Sequence, residues 1–141
     1  MFMVFMAMNW FRSFVHIILF ASLSAAALSV CSATQMEVST RAADSIIRNT
    51  RNVLVIDVRT PEEFIIGHLP HAKNIDFYDL TFIDSLALLP KDATIVVYSR
   101  AGKRSTEAVA ILESLGYSRT FNMLGGFLAW KDEVRPVAKG K

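Results

Sequence analysis

Val96-Val97-Tyr98-Ser99-Arg100-Ala101-Gly102-Lys103-Arg104-Ser105 is the stretch on which the reading of this chain turns. An apolar run ends in a short basic loop containing a glycine, and the loop opens directly into a segment of helical spacing. Strand, tight loop and helix in that order build an anion cradle. Consecutive backbone N–H groups turn into such a loop, and the positive end of the helix dipole lies beneath it. Ser99, at the first loop position, faces whatever the cradle holds. Arg100, Lys103 and Arg104 bring three positive charges to it, and the loop carries no acidic residue. Ala101 and Gly102 complete the turn, Gly102 for its backbone freedom, and Ser105 begins the helix.

Outward from that loop, helices and strands alternate. Ser105 to Leu115 reads as a helix with Ala108, Ile111, Leu112 and Leu115 as its core stripe and Gly116 as its stop. Thr120 to Met123 reads as a strand, and Gly125-Gly126 turns the chain into a short helix carrying Phe127 and Trp130 as packing residues. The polar tail after Glu133 is expected to fray. Upstream, Thr94 to Tyr98 and Val53 to Ile56 are continuous apolar runs, the pattern of strands buried on both faces. Thr60 caps a short helix with Pro61 at its first position and Glu62 and Glu63 in its first turn. A short strand is expected near Asn74-Ile75, a helix over Phe82 to Leu89, and an amphipathic first helix capped by Ser39 or Thr40. This alternation predicts an α/β domain with a mostly parallel sheet covered by helices on both faces, and such sheets bind ligands at the carboxyl ends of their strands.

The chain has 141 residues, 52% of them hydrophobic and 20% charged, which suits one globular domain plus a targeting segment. Residues 1–33 hold one basic residue, Arg12, and no acidic one, leaving the rest with 14 basic and 13 acidic residues. A near-neutral domain lacks the broad basic field that nucleic-acid binding leans on. Arg12, the apolar run from Phe14 to Val30 and the small residues Ser29, Cys31, Ser32 and Ala33 read as a signal peptide over 1–33, with the folded domain over 34–141. Two alternatives stay open for that segment: an uncleaved anchor, or a lipoprotein signal in which Cys31 is acylated. The domain would then be exported to a periplasm or secreted, and membrane-tethered only if the segment is retained or Cys31 lipidated. Cys31 is the single cysteine, so the folded part has no thiol to act as nucleophile or metal ligand.

Four blocks carry a resemblance: Val55-Ile56-Asp57-Val58-Arg59-Thr60-Pro61-Glu62-Glu63-Phe64, Gly67-His68-Leu69-Pro70-His71-Ala72, Val97 to Ser105, and Gly125-Gly126-Phe127-Leu128-Ala129-Trp130. In order and spacing they resemble the single-domain rhodanese family, over about residues 36 to 133. The resemblance implies a rhodanese-like α/β fold with a sheet of about five strands. It implies a sulfurtransferase in which a loop cysteine takes sulfane sulfur from a thiosulfate-type donor, holds it as a persulfide and passes it to a thiophile. No cofactor is expected, and exported members of the family occur in bacterial periplasms. Here the cysteine position holds Ser99. Sulfur transfer needs a thiolate, and a serine hydroxyl is far less acidic and forms no persulfide.

The expected function is therefore an exported rhodanese-like module without conventional sulfur transfer. It would bind an oxyanion (thiosulfate, sulfate or phosphate) or a protein partner through the 99–104 loop. Two alternatives remain: sulfur transfer by a non-standard route or with a partner's thiol, and an interaction domain with a vestigial loop. Asp57, Arg59, Glu63 and His68 are expected to form a supporting network, and Arg104 either attracts the anion or pairs with an internal carboxylate. His68 and His71, on a Pro-containing turn with no further Cys or His nearby, make a poor metal set.

Overall fold

The computed structural model describes residues 36–140, so the signal-segment reading, with Cys31, lies outside the described residues. The chain runs β1 (Met36–Val38), α1 (Thr40–Asn49), β2 (Val53–Asp57), α2 (Pro61–Ile66), β3 (Lys73–Asn74), α3 (Phe82–Ala87), β4 (Thr94–Tyr98), α4 (Lys103–Ser114), β5 (Thr120–Met123) and α5 (Gly126–Asp132). The strands form one five-stranded sheet in the order β1-β5-β4-β2-β3, with every pairing parallel.

Strand β4 shows why the apolar runs are continuous. All five of its residues are buried. Ile95 and Val97 join the core formed with Phe82 and Leu86 of α3 and Ala108, Val109 and Leu112 of α4. Val96 and Tyr98 join the opposite core with Ala43 of α1 and Phe127 and Trp130 of α5. Successive side chains point to opposite faces, so a strand with helices on both sides needs apolar residues at every position. The central strand thus holds both layers, and its carboxyl end delivers the chain into the 99–102 loop.

Local caps follow the sequence closely. The Ser39 hydroxyl accepts from Ala42 N at the start of α1. At α2, Thr60 and Glu63 form a reciprocal capping box with Pro61 as first helical residue. Two elements differ from expectation. The edge strand β1 is too short to carry a periodicity and exists because it pairs with β5. Helix α4 starts at Lys103, two residues early, because Gly102 in the left-handed region (φ 108°) turns the chain straight into it.

The tail does not fray. His68 and Ala138 exchange backbone hydrogen bonds of 2.9 Å, and Trp130 Nε1 donates to Pro136 O. Arg135 pairs with Asp44 and Glu133. Among the described residues no helix is long and apolar enough to cross a membrane.

Candidate functional site

Thr60, Glu63, Tyr78, Ser99, Arg100, Ala101, Lys103 and Arg104 line an open depression of about 440 Å³ at the carboxyl end of the sheet. Ser99 forms its floor and is only 1% exposed, while Arg100, Ala101 and Lys103 are exposed at the rim. Tyr78, 68% exposed, closes one side. Nothing in its local sequence marks Tyr78, because it comes from a loop that the fold carries to the site.

The direction of the loop's peptide groups follows from α5. Ser99 O accepts from Phe127 N at 2.8 Å and Arg100 O from Leu128 N at 3.1 Å. In a planar trans peptide the N–H points opposite to the C=O, and the described residues contain no cis bond. The N–H groups of Arg100 and Ala101 therefore point away from α5, and neither has a protein acceptor among the described residues. Helix α5 fixes the orientation of the cradle by holding its carbonyls.

That approach requires Gly126. A Cβ there would lie 2.3 Å from Ser99 O and 2.8 Å from Arg100 O, at a φ of +56°. From the sequence the Gly125-Gly126 pair reads as a turn, and its contact with the loop is not visible there. Two adjacent glycines at a helix start were the available signal.

Ser99 Oγ accepts from Gly102 N at 3.1 Å. Ser105 Oγ lies 3.4 Å from Ser99 Oγ but donates at 2.8 Å to Gly102 O, so the Ser105 proton belongs to the carbonyl. Among the described residues the Ser99 proton then has only a long contact to Ser105. No imidazole or carboxylate is among Ser99's hydrogen-bond partners in the described residues. A hydroxyl so placed can donate to a bound anion, but it lacks the adjacent base that would make it a nucleophile.

The four supporting residues separate. Asp57 and Arg59 form a buried pair: Arg59 Nη2 lies 2.6 Å from Asp57 Oδ2 and also donates to Gly67 O. Arg59 lies over the Phe127 ring at 4.1 Å, tying this pair to α5. Burial would lower the Arg59 pKa, but hydrogen bonds to Asp57 and its charge more than offset that, so the guanidinium stays charged. Burial, then the Asp57 carboxylate, holds the Tyr98 phenol well above its ordinary range. Its oxygen accepts from Leu69 N.

His68 Nδ1 bonds Phe64 O at 2.9 Å, and the two rings stack at 3.7 Å, so His68 fixes the turn rather than facing the loop. His71 is exposed. Among the described residues no group of three His, Cys, Asp or Glu is placed to hold a metal ion.

Glu63 does not join Asp57 and Arg59 by contact. Its two carboxylate oxygens take Arg104 Nη1 at 2.8 Å and Nη2 at 3.1 Å. Arg104 is thus committed to an internal carboxylate. Burial acts to raise the Glu63 pKa, but hydrogen bonds from Arg104 and the Thr60 backbone, with the nearby positive charges, leave it below the usual carboxylate range.

The rhodanese-like domain family matches residues 40–133. A sulfurtransferase of Allochromatium vinosum is 33% identical over 101 residues, covering 72% of this chain and 92% of that one. A probable adenylyltransferase/sulfurtransferase of Mycobacterium tuberculosis is 37% identical over 86 residues, but the match spans only 22% of that longer protein. Among solved structures, a rhodanese-like domain protein from Staphylococcus aureus superposes with a TM-score of 0.66 at 29% identity, over 76% of this chain and all of that one. A rhodanese with anions from E. coli gives 0.51 at 35% identity, over 62% and 99%. The matched stretch runs from the first turn of α1 through the cradle to the end of α5, and the chain belongs to the rhodanese-like domain family.

Proposed function

We propose that this protein is an exported rhodanese-like module that binds a small oxyanion in the 99–104 loop and does not carry out conventional sulfur transfer. The observation that carries the reading is the state of Ser99. The hydroxyl stands where the resemblance puts a cysteine, and among the described residues it has no base as a partner and no strong acceptor for its proton. Support for the anion comes from the Arg100 and Ala101 N–H groups turned away from α5 and from the exposed side chains of Arg100 and Lys103. The similar rhodanese from E. coli was solved with anions. Support for export is the charge-poor apolar segment over 1–33.

Titration calorimetry with sulfate and thiosulfate tests the binding. The wild-type chain is expected to bind, and Lys103→Ala to weaken binding by roughly threefold or more, since one exposed charge near the anion is lost. Equal heats from both proteins would contradict the reading.

A further inference from the structure

The cradle already contains a carboxylate. Glu63 occupies both terminal nitrogens of Arg104 in the two-pronged geometry that an incoming oxyanion would use. Arg104 and Glu63 both line the depression above Ser99. Of the three loop cations, only Arg100 and Lys103 have no ion-pair partner among the described residues. The mouth therefore presents two available positive charges beside a fixed negative one.

We propose that Glu63 is the residue that sets which anions the cradle accepts, by disfavouring doubly charged oxyanions relative to singly charged ones. The proposal rests on the anion-binding reading above and adds its charge preference. Coulomb repulsion is linear in the ligand's charge, so a fixed carboxylate opposes a dianion twice as strongly as a monoanion in the same place. Glu63 is held there from two sides. Arg104 grips it from α4, and the capping box ties it to Thr60, with Thr60 N donating to Glu63 Oε2 at 3.3 Å. It cannot swing out when a ligand arrives without breaking both.

The architecture also supplies a clean variant. Glutamine at this helix position still completes a capping box, so Glu63→Gln removes the charge while keeping the α2 start. Sulfate and methanesulfonate are the probes, since both present three or more sulfonyl oxygens but carry two charges and one.

In the full chain, Glu63→Gln is expected to raise methanesulfonate affinity about threefold and sulfate affinity about tenfold, the second factor being near the square of the first. Glu63→Asp, which keeps the charge, is expected to show no such gain. Equal gains for the two anions, a gain in the Asp variant, or no gain in a protein that binds sulfate would overturn the charge role of Glu63 and leave the cradle intact. Binding of neither anion by wild type or Glu63→Gln would overturn the anion-binding reading itself, and the charge preference with it.

Discussion

At the scale of single residues, Ser99 and Gly126 do opposite jobs in one contact. Ser99 supplies the floor of the cradle, and its carbonyl is gripped by α5, which approaches because Gly126 has no side chain. Gly126→Ala would drive a Cβ into the Ser99 carbonyl and strain a left-handed backbone. A loss of about 2 kcal/mol or more is expected, together with loss of sulfate binding. Thermal unfolding and calorimetry check it, and a variant with wild-type melting and binding would contradict the contact's importance. The Asp57–Arg59 pair carries a larger penalty. Asp57 is fully buried, so Arg59→Ala would strand its charge and cost about 3–5 kcal/mol, read by denaturant unfolding.

At the scale of elements, α2 couples folding to pH through Glu63. Its carboxylate pKa is lowered in the folded protein, so its contribution to stability is present above the ordinary carboxylate range and is lost as pH falls through the lowered value. A pH series of unfolding midpoints for wild type and Glu63→Gln is expected to diverge at neutral pH and converge in acid. Parallel curves would contradict the ion pair's role.

The elements also show what could be read in advance. The Thr60 cap before Pro61, the doubly buried β2 and β4 and the loop into α4 are local patterns, legible because cap chemistry and two-faced burial leave marks at neighbouring positions. Strand β1 left none, since three residues, two exposed and one half-buried, become a strand only through β5. The Glu63–Arg104 pair joins residues 41 apart in the chain, and only folding chooses between Arg59 and Arg104 as the partner of Glu63. Tyr78 and Gly126 reach the site by the same non-local route.

At the scale of the whole molecule, two cores packed on one parallel sheet hold a single loop at the carboxyl end of its central strand. The C-terminal tail, pinned by His68, Trp130 and Arg135, closes the α1 and α5 side of that structure. Ser99 lies at the floor of that loop, its carbonyl held by Phe127 N and its hydroxyl accepting from Gly102 N.

The measurement that bears most directly on this account is thiosulfate-to-cyanide sulfur transfer by the wild-type chain beside Ser99→Cys. A silent wild type and an active Ser99→Cys variant are the predicted result, because in the proposed reading the serine hydroxyl forms no persulfide and a thiolate in the same cradle would. Turnover by the wild-type protein would contradict the account.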